Sequence, residues 1–425
     1  MIGDSWIQTL PFERKMNCKY IILVGDGMGD YPLEELGGKT PLEVARTPYM
    51  DELALRGRMG MARTVPESME PGSDVANMSL LGYDPAVYHT GRAPLEAASM
   101  GVQLDPRDVA FRCNLVTLEK DEAGIVRMLD YSAGHITTGE ARELVDSLQQ
   151  AVAGSPLKLY PGVSYRHLLV WPGGREDLTT TPPHDISGEP AAPHQEVYRS
   201  ESVLLDFTER AEGILADHPV NRRRVSEGKR PANAVWLWGQ GRAPSIPTLK
   251  EKAGLTGAMI SAVDLLKGLG VYAGLDPIAV PGATGYLDTN YAGKVSAALK
   301  ALETGDYVYV HIEAPDEASH EGSLSKKIEA IEAFDARVVG PIAGGAKALG
   351  RVNLLIVTDH LTPIHKRTHV GDPVPFLLVE DLNDAPSRRA AGEAFCERVA
   401  RQAGWELPSG VELFEHFVGL TSRKA

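Results

Sequence analysis

Five short polar clusters, spread over most of the chain, contain residue types that could together hold two metal ions and supply a nucleophile. They are Asp26 in VGDGMGD, Ser73 in PGSDVAN, Asp316 and His320 in APDEASH, Asp359 and His360 in VTDH, and His369 in THVGDP. Carboxylate and hydroxyl oxygens combined with imidazole nitrogens suit Mg²⁺, Mn²⁺ or Zn²⁺. No single cluster is diagnostic, so the prediction depends on their joint occurrence beside apolar runs.

Spacing within the clusters favours shared ligation. Asp316 and His320 are four residues apart, which puts both side chains on one face of a helical turn, where they could share an ion. Asp359 and His360 are neighbours, so they would ligate the same metal only if the backbone bends sharply there. His369 follows in a Gly/Pro loop, within reach of the same site. Each feature alone also has an ordinary explanation, as a helix cap or an exposed loop histidine.

Ser73 stands just before the helix-like segment VANMSLLGY. A serine at this position is commonly a helix N-cap. The same geometry also suits a nucleophile, because a helix N-terminus can hold a phosphoryl oxygen and a bound metal lowers the pKa of a hydroxyl. Asp26, at the end of the first predicted strand, would bind that ion.

Composition limits the class of protein. The chain has 425 residues, 43% hydrophobic and 24% charged, which is typical of a globular enzyme with two domains. A net charge of -14 disfavours nucleic acid and anionic membranes as partners. Three distant cysteines without a CxxC motif, and a first segment without an apolar signal region, predict a cytoplasmic protein. The sequence leaves the oligomeric state open.

Apolar runs at 20–24, 307–312, 352–357 and 376–379, separated by helical stretches such as 326–339, predict an α/β fold. The expected architecture is a mostly parallel sheet with helices on both faces, and its sites should lie beyond the carboxyl ends of strands. The middle of the chain is richer in Pro/Gly loops and predicts an inserted α+β domain. We therefore expect a metal-binding domain of residues 1–81 and 248–425, and an inserted substrate-binding domain of residues 82–247.

The motifs together resemble the archaeal-type family of cofactor-independent (2,3-bisphosphoglycerate-independent) phosphoglycerate mutases, in the alkaline phosphatase superfamily. The resemblance is carried by VGDGMGD, LGGKTPLEVARTPYMDELA, PGSDVANMSLLGYDP, GRAPLEAASMGV, DVAFRCNLVT, WLWGQGRAP, ISAVDLLKGLG, APDEASHEG and VTDH. It implies an alkaline-phosphatase-like sheet split by an inserted domain that closes on a small phosphorylated substrate.

The resemblance also implies a division of the ligands between two divalent ions, Mn²⁺ or Mg²⁺ being favoured and Zn²⁺ an alternative. Asp316, His320 and His369 would hold one ion. The other would be held by Asp26, Ser73, Asp359 and His360. Ser73 would take the phosphoryl group of 3-phosphoglycerate and return it to the 2-hydroxyl.

In the inserted domain the expected proton shuttle is His135, and the expected substrate-binding residues are Arg166, His167, His184, Asp185 and Arg242. One departure is notable. Archaeal members usually have an Arg in an AGR motif where this chain has Ala133-Gly134-His135. In this respect the chain resembles a bacterial branch of the family, some members of which have been proposed as homoserine kinases. Another metal-dependent phosphotransferase or phosphohydrolase therefore stays an alternative. A non-catalytic metal-binding protein is disfavoured, because all seven ligands are present.

Overall fold

The computed structural model describes residues 18–384 and 394–420. The chain divides into two compact units, Met1–His89 with Ile246–Ala425, and Thr90–Ser245. The segment expected to be inserted was 82–247, and the second unit begins and ends within it. None of the helices in the described ranges has the length and apolar character needed to span a bilayer.

The strands, in chain order, are β1 (Cys18–Gly25), β2 (Arg58–Ala62), β3 (Val109–Lys120), β4 (Val126–Asp130), β5 (Lys158–Val163), β6 (Arg166–Trp171), β7 (Ala234–Gly241), β8 (Gly257–Ile260), β9 (Asp276–Pro277), β10 (Tyr307–Ile312), β11 (Arg351–Val357), β12 (Val374–Val379) and β13 (Glu406–Leu407). The four runs predicted as strands of the outer parts of the chain correspond to β1, β10, β11 and β12. Each was recognisable because it is apolar along most of its length.

The helices, in chain order, are α1 (Pro41–Val44), α2 (Pro48–Ala54), α3 (Ser73–Leu80), α4 (Pro85–Tyr88), α5 (Arg92–Ser99), α6 (Thr138–Val152), α7 (Ala192–Arg199), α8 (Ser202–Ala216), α9 (Pro219–Ser226), α10 (Leu249–Ala253), α11 (Asp264–Tyr272), α12 (Tyr291–Thr304), α13 (Ala314–His320), α14 (Leu324–Phe334), α15 (Gly340–Ala346), α16 (Glu397–Gln402) and α17 (Gly410–Val418). The stretch expected to be helical over 326–339 is α14 followed by a π-helical turn at Asp335–Val339.

In the first unit the described strands form one sheet in the order β13-β2-β12-β11-β1-β10-β8-β9. Among them only β12 runs opposite to the rest, since it pairs antiparallel with both β11 and β2. A buried apolar cluster joins one face to α2, α12, α14 and α15. On the other face α17 packs Phe417 against Tyr20 and Phe414 against Tyr307. The expected mostly parallel sheet with helices on both faces is confirmed.

The second unit has a different architecture. Its described strands form an antiparallel sheet in the order β4-β3-β6-β5, and β7 also pairs antiparallel with β3. Helices α6 and α8 bury their apolar faces against one side of this sheet, in a cluster that includes Leu144, Phe207 and Leu215. The unit is therefore α+β, and short connections join its antiparallel pairs β3–β4 and β5–β6.

A buried ion pair links two loops of the first unit. Lys327 is fully buried on α14, and its ammonium donates to the Asp30 carboxylate at 2.8 Å. The same ammonium donates to the carbonyls of Gly29 and Thr362 at 3.1 and 2.9 Å. All three ammonium protons are therefore used, and the loop after β1 is tied to the loop after β11.

We expect Lys327→Met to lower the free energy of unfolding by about 3–5 kcal/mol, because it leaves the Asp30 carboxylate buried without a counter-charge. Urea denaturation of the metal-free protein measures this. The matched control is Lys326→Met, since Lys326 forms an exposed ion pair with Glu321 and its loss should leave stability nearly unchanged. Equal effects of the two substitutions would show that the buried pair does not tie the loops.

Candidate metal centre

The seven predicted ligand residues all lie in the first unit, at the carboxyl-terminal edge of its sheet. Asp26 directly follows β1, and its backbone N–H donates to the carbonyl of Ile312 at the end of β10. The next residue, Gly27, has a φ of 58° and lies so close that a Cβ would collide with the Asp316 carboxylate and the Thr362 hydroxyl. Only glycine fits this turn, so it brings the ends of neighbouring strands together.

Ser73 is the first residue of α3, and the residue at the N-cap position is Gly72. The expectation that Ser73 could be the N-cap is therefore wrong, because the backbone of Ser73 is already helical. Its hydroxyl oxygen lies 3.2 Å from Nε2 of His360. One turn later, Asn77 donates to the Ser73 carbonyl at 2.8 Å and to the Asp359 carboxylate at 2.7 Å. The helix start is thereby held against the loop after β11.

Asp359 and His360 occupy a bend immediately after β11. The Asp359 carboxylate accepts hydrogen bonds from the N–H groups of Gly27 and His360 at 3.1 and 2.9 Å. The imidazole Nε2 of His360 lies 3.5 Å from oxygens of both Asp26 and Asp359. The sharp bend therefore lets two adjacent side chains face one point.

The remaining three residues converge in the same way. His320 Nε2 is 3.0 Å from the Asp316 carboxylate and 3.0 Å from His369 Nε2. His369 Nε2 is 3.5 Å from the other Asp316 oxygen. The carbonyl of Arg367 accepts from Nδ1 of His320 at 2.9 Å, which leaves Nε2 free to ligate. Thr362 donates to Asp316 at 2.5 Å and fixes the second oxygen.

These distances fit metal coordination. Ligands about 2.1 Å from a tetrahedral ion lie roughly 3.4 Å from each other. Two groups of donors have ligand atoms that all lie within 4.8 Å of one another, Asp26 with Asp359 and His360, and Asp316 with His360 and His369. His360 lies in both groups, whereas the ligand division implied by the family placed it with one ion. The two candidate sites are therefore adjacent.

The electrostatics also fit cations. The carboxylates of Asp26, Asp316 and Asp359 are all buried. Burial, reinforced by the charges of Asp359 and Asp316, raises the pKa of Asp26 well above its ordinary value. Its Oδ1 has no hydrogen-bond partner among the described residues. A buried carboxylate cluster of this kind needs positive charge, and oxygen and imidazole donors suit Mn²⁺, Mg²⁺ or Zn²⁺.

Three polar residues that support this centre were not predicted from the sequence. Asn77 orients Asp359, Thr362 contacts both Asp316 and the His360 ring, and His311 lies 3.0 Å from Asp26. A signal existed for two of them. Asn77 stands four residues after Ser73 on one helix, and His311 interrupts the apolar strand YVYVHI. For Thr362 only the folded loop shows the contact.

In the second unit, four of the predicted residues lie along a chain of ring contacts. His135 contacts Tyr165, which contacts Tyr131, at centroid distances of 6.4 and 5.9 Å. His184 contacts Tyr131 and Trp238 at 6.0 and 5.3 Å. Arg166 stacks on Tyr165 at 5.5 Å, and Asp185 lies 3.5 Å from His184. These side chains therefore share one region.

Two further arginines that we had not singled out belong to this region. Arg112 lies 4.0 Å from the Trp238 ring, and Arg92 lies 6.0 Å from it. Arg112 is 8% exposed and lies 3.1 Å from Glu96, and burial lowers its pKa to about 10. An arginine inside the apolar run VAFRCNLV was a recognisable signal, because a charge is rarely buried in a strand without a reason.

The other two predicted residues have different contacts. His167 is 3% exposed and its Nδ1 accepts from the N–H of Gly162, and burial lowers its pKa to about 4. It alternates with Arg166 along β6 and therefore faces the opposite side of the sheet. Arg242 pairs with Glu176 at 3.3 Å.

His135 stands in an unusual backbone conformation. Ala133, Gly134 and His135 have φ values of 50°, 63° and 48°, in the left-handed region that costs energy for the two non-glycine residues. The turn is held from both sides, because Asp130 accepts from the N–H of Gly134 at 3.0 Å and Arg224 donates to the Ala133 carbonyl at 2.6 Å. The structure thus maintains a strained position for this histidine.

The mostly parallel α/β unit, with convergent carboxylate, imidazole and hydroxyl groups at the carboxyl ends of its strands, defines the class of a metal-dependent enzyme. Residues 54–221 match the PhosphMutase family, described as 2,3-bisphosphoglycerate-independent phosphoglycerate mutase.

Similar proteins agree. The chain is 54% identical over 397 residues to a probable 2,3-bisphosphoglycerate-independent phosphoglycerate mutase of Geobacter sulfurreducens, covering 93% of this chain and 98% of that one. It is 55% identical over 396 residues to the mutase of Methanothrix thermoacetophila, with the same coverage. A cofactor-independent phosphoglycerate mutase structure from Thermoplasma acidophilum has a TM-score of 0.61 at 28% identity, covering 95% of this chain and all of that one. The chain belongs to the family of 2,3-bisphosphoglycerate-independent phosphoglycerate mutases, which are isomerases, and the predicted family and enzyme class are confirmed.

Metal binding should become tighter as the pH rises. In the metal-free protein the hydrogen bond to Asp316 raises the pKa of His320 to about 9. Below that pH an ion that uses His320 must displace a proton, so affinity for Mn²⁺ should rise by up to about tenfold per pH unit and level off above pH 9. Calorimetric titration of chelator-stripped protein measures this. His320→Gln should flatten the profile, whereas His416→Gln on α17 should leave it unchanged. A flat wild-type profile would exclude His320 as a ligand.

Proposed function

We propose that the enzyme interconverts 3-phosphoglycerate and 2-phosphoglycerate through a phosphoserine on Ser73, at a centre of two divalent ions and without added 2,3-bisphosphoglycerate. The observation that carries the proposal is the position of the Ser73 hydroxyl. It lies at the start of α3 and 3.2 Å from His360, within a group of donors that converge from five separate segments. A solvated surface serine has no such surroundings.

The ligands divide between the two ions as follows. Asp316, His320 and His369 would hold one, and Asp26, Ser73 and Asp359 the other, with His360 placed near both. When bound, the ions supply positive charge that lowers the pKa of the serine hydroxyl and stabilises the transferring phosphoryl group. The other contributions come from side chains and from the helix itself.

Ser73 acts first as the nucleophile. Its oxygen forms a bond to phosphorus as the bond from phosphorus to the 3-oxygen of the substrate breaks, which gives phosphoserine and glycerate. The start of α3 faces the phosphoryl oxygens with the positive end of the helix dipole. In the second step the 2-oxygen of glycerate attacks the phosphoserine, which restores the serine and releases 2-phosphoglycerate.

The second unit would recognise the organic part of the substrate. Arg92, Arg112 and Arg166 concentrate positive charge in a protein whose net charge is -14. Guanidinium groups bind carboxylates in a two-pronged manner, so we infer that they hold the glycerate carboxylate. His135, held in its strained turn beside Tyr165, would carry a proton between the two hydroxyls of glycerate as they exchange the phosphoryl group.

Ser73→Ala should reduce mutase turnover by at least about 10³-fold, while the protein keeps its fold and binds metal through the remaining ligands. The measurement is an assay of 3-phosphoglycerate conversion coupled to enolase, with divalent metal and no 2,3-bisphosphoglycerate. Wild-type protein quenched during turnover of phosphate-labelled substrate should carry acid-stable label on the Ser73 peptide. Ser79→Ala, on the same helix, serves as the control and should stay active and labelled.

Near-normal turnover of a folded Ser73→Ala protein would contradict the phosphoserine mechanism. A wild-type enzyme that is inactive on phosphoglycerate, but transfers phosphate from ATP to another hydroxyl, would instead identify a different phosphotransferase at the same centre.

Arg166→Met should raise the KM for 3-phosphoglycerate by about tenfold or more and lower kcat much less, because one charge-assisted hydrogen bond to the substrate is lost. The matched control is Arg210→Met, since Arg210 pairs with Asp206 on α8 and lies outside the cluster. Steady-state kinetics at saturating metal separates the two parameters. An unchanged KM would show that Arg166 does not bind substrate.

A further inference from the structure

The ends of three parallel strands bring a serine, a histidine and an aspartate side by side. Strand β10 lies between β1 and β8, and the register pairs Val24 with His311 and Val310 with Ile260. The residue after Ile260 is Ser261, and Asp26 follows the end of β1. His311 is fully buried between them, with Nδ1 3.4 Å from the Ser261 hydroxyl and Nε2 3.0 Å from Oδ2 of Asp26.

The hydrogen bonds around Ser261 are compatible with a His311 ring that carries its proton on Nε2. The Ser261 oxygen accepts from the backbone N–H of Val263 at 3.0 Å and can donate its own proton to Nδ1 of His311. An imidazole that accepts at Nδ1 carries its proton on Nε2. That proton points toward the Asp26 carboxylate. Nε2 of His311 and Oδ2 of Asp26 are 3.0 Å apart, although the carboxylate in the metal-free structure is not aligned for a hydrogen bond with Nε2.

The two oxygens of Asp26 therefore have different surroundings. Oδ2 faces His311, whereas Oδ1 faces the donor group and lies 3.5 Å from Nε2 of His360. A carboxylate that ligates a metal with one oxygen is commonly held by a hydrogen bond to the other, and the loss of such a bond weakens metal binding. We propose that His311, itself held by Ser261, is a positioning residue that fixes Asp26 so that Oδ1 points at the ion. This inference rests on the proposed two-ion centre.

A direct role of His311 as the ligand of an additional cation is disfavoured by its neighbour. Lys294 is fully buried on α12, and its ammonium donates to the backbone carbonyl of His311 at 3.1 Å. A fixed positive charge at this distance in a buried region repels a second cation beside the ring. The lysine also completes the hydrogen bonds of β10 at the point where that strand ends.

The test is calorimetric titration of chelator-stripped protein with Mn²⁺. Wild type should bind two ions per chain. His311→Leu should still bind two, one of them about 10–100-fold more weakly. His311→Gln, whose amide can donate from nearly the position of Nε2, should recover most of that loss. Ser261→Ala should weaken the same ion by a smaller factor.

The control is Tyr307→Phe, which removes a polar atom from the same buried strand and should leave both affinities unchanged. Circular dichroism of each variant before titration confirms that it is folded. If His311→Leu does not fold, the His311→Gln variant answers the question. Positioning through a donated hydrogen bond is supported if His311→Gln binds Mn²⁺ with unchanged or slightly reduced affinity and Ser261→Ala binds one ion more weakly.

Three outcomes would overturn the inference while leaving the two-ion centre intact. In the first, a folded His311→Leu protein binds both ions as tightly as wild type does. In the second, the Gln and Leu substitutions weaken Mn²⁺ binding equally. In the third, wild type binds three ions per chain and His311→Leu binds two. The last would make His311 a ligand. A wild-type protein that binds no Mn²⁺ would instead overturn the two-ion centre itself, so the two failures are distinguishable.

Discussion

Three carboxylates buried within one small volume impose the main constraint on this protein. Asp26, Asp316 and Asp359 come from different segments, and each gives up hydration on folding. Mutual repulsion adds to that cost, and the raised pKa of Asp26 shows the effect in the metal-free protein. Such a cluster is stable at neutral pH only with added positive charge, from protons or from metal ions. The centre is thus built to bind cations.

The loops around the centre are held by donors aimed at these carboxylates. Asn77 links Asp359 to the helix that carries Ser73, and its amide oxygen accepts from the buried hydroxyl of Tyr309 at 2.5 Å. Thr362 links Asp316 to His360, and its own backbone is held by Lys327. The same interactions that stabilise the fold therefore set the directions of the candidate ligands, as is common around metal sites.

The second unit answers a different requirement. A substrate with a phosphate and a carboxylate is repelled by a chain with a net charge of -14, so local cations are needed to bind it. In the proposed function the arginines beside Trp238 and Tyr165 would provide them. Under this proposal, phosphoryl chemistry and recognition of the organic acid would belong to different parts of the chain.

The sequence by itself determined the α/β class, the four long apolar strands, the family and the identity of the candidate ligands. These features are local in sequence: a strand buried on both faces is apolar throughout, and DxxxH or DH can be read within a few residues. The order of strands, the bend that turns Asp359 and His360 to one point, and the position of His360 near both groups of donors were decided only by the tertiary structure. The tertiary structure also decided that Ser73 is the first helical residue and not the N-cap. It likewise decided that Arg92 and Arg112 lie beside Trp238, and that His167 faces the opposite side of the sheet from Arg166. Contacts between residues distant in the chain, such as His311 with Asp26, depend on the register of parallel strands, and no local pattern specifies that register.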